Sequence, residues 1–148
     1  MRTRQALVCG YVWAGLVQAR EDTSKKKAHF GFVTDCRPRT HPPLPPSYFG
    51  NCLRICRVEA DRSELVGDDG AALAADEIWR VIKRLEEGAF GGAEHWIRDV
   101  HEYAAKKALT VAGSPKLRVY DVDFGWGWPR KVEVISIERT GALSLAES

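Results

Sequence analysis

Asp123-Phe124-Gly125-Trp126-Gly127 is the stretch that decides most about this chain. Two glycines in five positions set a backbone shape rather than a hydrophobic period, because glycine tolerates positive φ angles and close backbone approach. The two aromatic side chains can be buried on either side of the bend. The stretch therefore predicts a tight, specific loop in which the aspartate has a fixed partner.

Strands are expected on both sides of this loop. Gly113-Ser114-Pro115 forms a turn, and the residues after it predict a strand over Lys116–Tyr120. After the loop, the β-branched residues Val132, Val134, Ile135 and Ile137 predict a last strand, and no closing helix is expected before Ser148.

The first half of the chain predicts one helix and two strands. Apolar residues at helical spacing predict a mostly buried helix over Thr3–Arg20, with Leu7, Tyr11, Ala14 and Val17 on one stripe. Strands are predicted from Ala28 to Arg37 and from Cys52 to Ala60. Five prolines between positions 38 and 46 exclude regular structure there and predict an extended link.

Two more helices are predicted in the middle of the chain. Apolar residues three and four apart indicate a helix over Ala71–Glu87 that ends at Gly88, and a second helix is expected over Ala93–Lys107. In the second helix Trp96, Val100, Tyr103 and Ala104 are expected to face inward. The large aromatic residues assigned to the core are Trp13, Tyr48, Phe49, Trp79 and Trp96.

Length and charge restrict the class of protein. A chain of 148 residues is the size of one domain, so we expect a single domain over residues 1–148. The 22 basic and 20 acidic residues leave a net charge of only +2, which does not favour a nucleic-acid partner. The longest apolar run, Ala6–Val17, is short of the roughly 20 residues of a membrane span, so a soluble, cytoplasmic protein is expected.

The cysteines do not suggest a metal site. Cys9, Cys36, Cys52 and Cys56 contain no Cys-x-x-Cys pair and have no histidine at zinc-finger spacing. They are expected to be buried free thiols in a reducing compartment, and no metal site is predicted.

The triplet Asp-Phe-Gly alone is also typical of protein kinases, and Arg98-Asp99 lies upstream of it as it would there. The other parts of a kinase are missing. The asparagine expected five residues after the catalytic aspartate is Ala104, and there is neither a glycine-rich phosphate loop nor an early Val-Ala-Ile-Lys strand. Phosphoryl transfer needs all of these groups together, so this interpretation fails.

The chain instead resembles the C-terminal half of the plant BAHD acyl-CoA-dependent acyltransferases, whose signature is Asp-Phe-Gly-Trp-Gly. The likeness runs from about Thr3 to Glu147. The other matching stretches, in family order, are Tyr11-Val12-Trp13, His29-Phe30, Asp35-Cys36-Arg37-Pro38-Arg39, Pro43-Leu44-Pro45-Pro46, Tyr48-Phe49-Gly50-Asn51-Cys52 and Val111-Ala112-Gly113-Ser114-Pro115-Lys116. Within the family, the sequence is most similar to malonyltransferases that acylate anthocyanins and other phenolic glucosides, although Trp128 stands where those members commonly have arginine.

The resemblance implies a reaction and its co-substrate. A histidine of a His-x-x-x-Asp motif takes the proton of the acceptor hydroxyl, which attacks the thioester of acyl-CoA. That motif lies in the family's N-terminal half, which is expected to be absent here. His95-Trp96-Ile97-Arg98-Asp99 spells the same letters, but it falls where the family has a variable helix, so we interpret it as an ordinary i, i+4 helix pair.

The resemblance also implies roles for the remaining site residues. Asp123 would pair with an arginine and shape the signature loop, a structural role that we favour over a catalytic one. Gly113 and Ser114 would border the CoA and acyl channel, an ordinary turn being the alternative.

Three polar residues near the proline-rich link are candidate ligands of CoA or substrate. Arg37 and Arg39 end a predicted strand and could meet a phosphate or a malonyl carboxylate, with a simple surface pair as the alternative. Asn51 could line the channel or fix the turn after Gly50.

Together these features predict a two-layer α/β domain of the chloramphenicol-acetyltransferase-like kind, with a mixed sheet and helices packed on one side of it. The domain is expected to be incomplete. The expected function is transfer of an acyl group, malonyl in the nearest subfamily, from CoA to a hydroxyl of a phenolic glycoside or flavonoid. No bound cofactor, nucleic acid or membrane is implied, and the missing N-terminal half would be a partner. The alternative is a truncated, non-catalytic CoA-binding or interaction fragment, which would expose an apolar surface.

Overall fold

The structure is a computed structural model that describes residues 3–20, 25–112, 118–133 and 142–145. It divides into two compact units, Met1–Ala108 and Leu109–Ser148. Within the described residues, no helix is long and apolar enough to cross a membrane.

In its described residues, the first unit contains one hairpin of two strands and four α-helices. Its elements, in chain order, are α1 (Arg4–Ala19), β1 (Lys27–Asp35), a 3₁₀ turn (Arg37–Arg39), β2 (Leu53–Asp61), α2 (Arg62–Val66), α3 (Gly70–Arg84), a second 3₁₀ turn (Ala93–His95) and α4 (Trp96–Ala105). The predicted helices and strands of this unit are therefore confirmed to within a few residues, and α2 is an additional short helix that the sequence analysis did not predict.

Strands β1 and β2 pair antiparallel, with Lys27 opposite Asp61 and Asp35 opposite Leu53. Because side chains alternate between the two faces of a strand, this register places Phe30 beside Val58 on a single face. Both of these side chains are buried, and this face forms the core of the unit.

Helix α1 packs on that face through Trp13. The Trp13 ring centroid lies 5.4 Å from that of Phe30, and the two side chains are 1% and 0% exposed. The predicted apolar stripe is only half right, since Leu7 and Tyr11 are 47% and 73% exposed. The helix is rotated so that its largest aromatic residue, Trp13, fills the core, and the buried face is Ala6, Cys9, Gly10, Trp13, Ala14 and Val17.

Helices α1 and α3 cross at a glycine. A Cβ atom added to Gly10 would lie 2.5 Å from the backbone nitrogen of Ala75 and 2.7 Å from its Cα, closer than non-bonded atoms approach. The two backbones can therefore touch only because position 10 has no side chain. Gly15, on the exposed face of the same helix, has no atom within 4 Å of such a Cβ.

Helix α4 contacts β2 and the face of the hairpin opposite the core. Its Tyr103 hydroxyl donates a hydrogen bond to the Val58 carbonyl at 3.3 Å, and its ring packs edge-on against His29 at 5.5 Å. Asp99 forms an ion pair with Arg57 at 2.9 Å. Trp96 and Tyr103 are half-buried as expected for the inner face, whereas Val100 and Ala104 are exposed.

The proline-rich link carries the clearest error of the core prediction. Trp13 is buried and Trp79 and Trp96 are half-buried, but Tyr48 is 42% exposed and Phe49 is fully exposed. The link is tied down by its own polar groups, since Thr40 Oγ1 accepts a hydrogen bond from the Leu44 amide at 2.9 Å. Its apolar anchor is Leu44, which packs against the buried cluster of Cys36, Cys52 and Ala89. The expected exclusion of regular structure is also wrong at its start, where Pro38 lies in the 3₁₀ turn Arg37–Arg39.

In the second unit, β3 (Leu109–Ala112) and β4 (Leu143–Ser144) pair parallel, with Val111 opposite Leu143. The strand predicted over Lys116–Tyr120 is wrong in its described part. Arg118 adopts a left-handed conformation with φ of 49°, and a 3₁₀ turn follows over Val119–Asp121.

The last predicted strand is not found in its described part, whereas the fold class is confirmed. Val132 and Glu133 are not in a strand, and the rest of that predicted strand lies outside the described residues. Antiparallel pairing in the first unit and parallel pairing in the second, together with the helices, confirm the mixed α/β class.

The crossing of α1 and α3 gives a direct test with a matched control in one helix. We expect Gly10→Ala to destabilise the protein by about 1–3 kcal/mol, because the new methyl group overlaps the Ala75 backbone. Gly15→Ala should instead stabilise it by up to about 1 kcal/mol through helix propensity. Urea unfolding followed by circular dichroism measures both, and a Gly10→Ala variant as stable as the wild type would contradict the close approach.

Candidate functional site

The signature loop is closed by its own aspartate. Asp123 Oδ1 accepts hydrogen bonds from the backbone amides of Gly125 at 2.7 Å and Gly127 at 3.0 Å. Both glycines adopt left-handed conformations, with φ of 93° and 92°, in which a side chain would be strained. The predicted tight loop is therefore present, and the fixed partner of the aspartate is the backbone of the loop itself.

Two further expectations for this loop differ from the structure. Among the described residues, the hydrogen bonds recorded for Asp123 are these two, and an arginine partner is not among them. Phe124 and Trp126 are 81% and 93% exposed rather than buried on either side of the bend. The backbone hydrogen bonds and the two glycines fix the loop without help from its aromatic side chains.

Three of the candidate ligand residues, Arg37, Arg39 and Asn51, lie together at one end of the β1–β2 hairpin. The Cys36 amide donates to the Cys52 carbonyl at 2.8 Å, which continues the strand pairing past Asp35. The exposed Asn51 and the half-buried Arg37 therefore flank the same end of the hairpin. Gly113 and Ser114, the other candidate residues, lie outside the described residues.

The two arginines of this end differ in their partners. Arg37 Nε donates to both carboxylate oxygens of Asp35, at 3.0 and 3.1 Å, and these hydrogen bonds hold the pKa of Asp35 below its usual value. Arg39 instead donates to the backbone carbonyl of Asp35 at 2.8 Å. Arg37 thus forms the simple pair that was the alternative to a ligand role, whereas the hydrogen bond of the Arg39 guanidinium goes to a neutral carbonyl.

The His-x-x-x-Asp letters run from the 3₁₀ turn at His95 into α4, and they form neither a catalytic pair nor the expected i, i+4 helix pair. His95 Nε2 lies 3.6 Å from Glu94 Oε1, whereas the Asp99 carboxylate is paired with Arg57. The histidine and the aspartate therefore have different partners. A general base oriented by a carboxylate requires the two groups to contact each other.

The cysteines are buried free thiols, as predicted. All four, Cys9, Cys36, Cys52 and Cys56, lie in the interior, and burial raises the pKa of Cys56 to about 11. Such a thiol is protonated at neutral pH and is not a nucleophile. Within the part of the chain that the structure describes, no group of three or more histidine, cysteine, aspartate or glutamate residues could hold a metal ion.

Two polar features escaped the sequence analysis. His29 packs against Tyr103, its Nδ1 lies 3.3 Å from Glu59 Oε2 without hydrogen-bond geometry, and burial lowers its pKa. A cavity lined by arginines also opens beside β2. Strand alternation could have placed His29 opposite the core face, but the arginines come from three elements that are distant in sequence.

The comparison with protein families and curated proteins gives a consistent result. The family model described as the Transferase family matches residues 1–147. Phenolic glucoside malonyltransferase 1 of Nicotiana tabacum is 36% identical over 149 residues, which cover 97% of this chain and 33% of that protein.

Other relatives are named for the transfer of malonyl or coumaroyl groups. A malonyl-coenzyme A:anthocyanin 3-O-glucoside-6''-O-malonyltransferase of Dahlia pinnata is 36% identical, over 95% of this chain and 32% of its own length. A coumaroyl-CoA:anthocyanidin 3-O-glucoside-6''-O-coumaroyltransferase of Arabidopsis thaliana is 33% identical, over 93% of this chain and 32% of that protein. The chain thus spans about one third of the length of these curated relatives.

Solved structures agree on the fold. Vinorine synthase superposes with a TM-score of 0.62 at 23% identity, over 86% of this chain and 31% of that chain. The F. graminearum protein TRI101 in complex with coenzyme A and deoxynivalenol gives a TM-score of 0.61 at 15% identity, over 88% of this chain and 32% of that chain. At these identities the likeness concerns the fold alone.

The signature loop can be tested by nuclear magnetic resonance. In Asp123→Ala, we expect the amide protons of Gly125 and Gly127 to move upfield and to exchange faster with solvent, because both lose a charged acceptor. Asp121→Ala is the matched control, since Asp121 pairs with Arg118 and not with the loop amides. If the chemical shifts and exchange rates of the Gly125 and Gly127 amide protons were unchanged in Asp123→Ala, the loop would be fixed by other contacts.

Proposed function

This chain belongs to the Transferase family, the BAHD acyltransferases that its sequence resembles, and we propose that it takes part in transferring an acyl group from acyl-CoA to a hydroxyl of a phenolic glycoside. The observation that carries the proposal is the 36% identity to a phenolic glucoside malonyltransferase over 97% of this chain. Malonyl is the donor group that we favour, because malonyltransferases are similar at 36% identity and a coumaroyltransferase at 33%.

The proposed reaction is attack of the acceptor hydroxyl oxygen on the thioester carbonyl carbon. The new C–O bond forms as the C–S bond breaks, and the hydroxyl proton finally resides on the CoA thiol. A general base must remove that proton, and a neutral histidine suits the task. We place this histidine outside the 148 residues, because His95 lies beside Glu94 while Asp99 is paired with Arg57.

The candidate residues take the following roles in this proposal. Arg39 is the best candidate to meet a malonyl carboxylate or a CoA phosphate, since its recorded partner is a neutral carbonyl. Asn51 would supply a hydrogen bond at the same end of the hairpin. Gly113 and Ser114 would border the acyl channel, and Asp123 would maintain the shape of the signature loop rather than take part in the chemistry.

The partners in this proposal are small molecules and the rest of an acyltransferase. Acyl-CoA is a co-substrate and not a resident cofactor. We propose that the reaction takes place in the cytoplasm. An N-terminal segment that carries the His-x-x-x-Asp motif would complete the enzyme. The alternative is that the 148 residues act as a CoA-binding fragment without turnover.

The test compares this chain with the native reading frame sequenced upstream of its first codon. We expect the longer product to release CoA thiol from malonyl-CoA in the presence of a phenolic glucoside, and the 148-residue chain to give no release above buffer. In the longer product, His95→Ala should change the rate by less than about twofold, whereas loss of its own His-x-x-x-Asp histidine should remove the general base, worth about 100-fold or more.

Two results would overturn this proposal. Thiol release by the 148-residue chain that disappears in His95→Ala would identify His95, in the 3₁₀ turn before α4, as the general base. A stop codon directly upstream, with CoA binding but no thiol release, would establish the fragment alternative.

A further inference from the structure

An arginine-lined cavity lies between β2, α3 and α4, within the first unit. Its volume is about 410 Å³, within the usual range of about 300–1,000 Å³ for small-ligand sites. Four guanidinium groups line it: Arg54 and Arg57 from β2, Arg84 from α3 and Arg98 from α4. The chemistry of the proposed acyl transfer uses none of these arginines.

The cavity has more positive charge than its own carboxylate can neutralise. Asp99 is the acidic residue among those that line it, and its carboxylate pairs with Arg57 at 2.9 Å. Arg54 donates to the carbonyls of Gly88 and Ala89, at 2.9 and 2.8 Å, so its partners are neutral. Arg98 forms a loose ion pair with Glu102 of the same helix, with 3.9 Å between Arg98 Nε and Glu102 Oε1.

Arg84 is the clearest uncompensated charge. Within the residues that the structure describes, no hydrogen bond or ion pair is recorded for its guanidinium. The preceding turn of α3 shows the contrast, because there Arg80 pairs with Glu77. Two of the four arginines have acidic partners, Arg57 with Asp99 and Arg98 with Glu102. Arg54 and Arg84 remain without a carboxylate partner among the described residues, which leaves a surplus of two positive charges around the cavity.

The β2 side of this cavity is held in place before any ligand arrives. The Arg54 guanidinium lies 5.8 Å from the centroid of the Trp96 ring, and that of Arg57 lies 5.6 Å from the centroid of the Tyr103 ring. Such cation–π contacts, together with the hydrogen bonds above, fix two of the guanidinium groups. A preorganised site loses less entropy when it binds a ligand.

We propose that this cavity is a binding site for a doubly charged phosphate group on a small molecule. Guanidinium groups offer paired donors that match phosphate oxygens, and a surplus of positive charge in a partly enclosed cavity favours a dianion over a monoanion. Arg84 and Arg54 supply the charge that has no described carboxylate partner, and Arg54 and Arg57 form the fixed wall. The phosphate group comes either from a free phosphate ester or from the 3′-phosphate of CoA, and in the second case the inference rests on the proposed function.

The experiment is calorimetric titration of the protein with inorganic phosphate at low ionic strength. We expect one phosphate to bind per chain and Arg84→Gln to weaken the binding at least about tenfold, the cost of losing one charged hydrogen bond. Arg80→Gln is the matched control, because it removes the same charge from the same helix outside this cavity, and it should leave the affinity within about twofold.

Two further titrations identify the source of the phosphate. CoA that binds more tightly than dephospho-CoA, with the difference lost in Arg84→Gln, would assign the site to the CoA 3′-phosphate. Binding of adenosine monophosphate with no such difference between the two CoA species would assign it to a free phosphate ester. Absence of phosphate binding, or equal weakening in Arg84→Gln and Arg80→Gln, would overturn the proposal.

Discussion

The contact of Trp13 with Phe30 is the interaction on which the first unit depends. It joins α1 to β1 through two side chains that are almost completely buried. Burying a large apolar side chain contributes about 1.5–3 kcal/mol, and an aromatic pair adds about 0.5–1.5 kcal/mol. Phe30 also lies opposite Val58 of β2, so one contact ties the first helix to both strands of the hairpin.

This core positions the polar features of the first unit. With Phe30 directed toward α1, strand alternation turns His29 and Arg57 to the opposite face, where α4 contacts them. The same register brings Arg37 and Asn51 to one end of the hairpin. The candidate ligand residues and the arginine cavity therefore both follow from how the hairpin sits against α1.

Local sequence chemistry predicted part of this structure. The glycines at 125 and 127 indicated a backbone shape that tolerates positive φ angles, and apolar residues three and four apart located α3 to within a few residues. The Transferase family membership likewise follows from stretches of sequence that can be read directly, above all the signature at 123–127.

Features that depend on contacts between distant residues were not predictable in this way. Tyr48 and Phe49 have the composition of core residues, but neither is buried in the structure. The rotation of α1 is set by the fit of Trp13 on Phe30, which no period within the helix encodes. The arginine cavity combines β2, α3 and α4, and these elements meet only in the folded chain.

Native-state hydrogen exchange tests most directly whether α1 and the hairpin form one unit around Trp13 and Phe30. The account predicts that the slowest amide protons of α1, β1 and β2 exchange with one common free energy, equal to the global free energy of unfolding. If the amide protons of α1 exchanged at a clearly lower free energy than those of the hairpin, α1 would open by itself. The Trp13–Phe30 contact would then not be what holds the unit together.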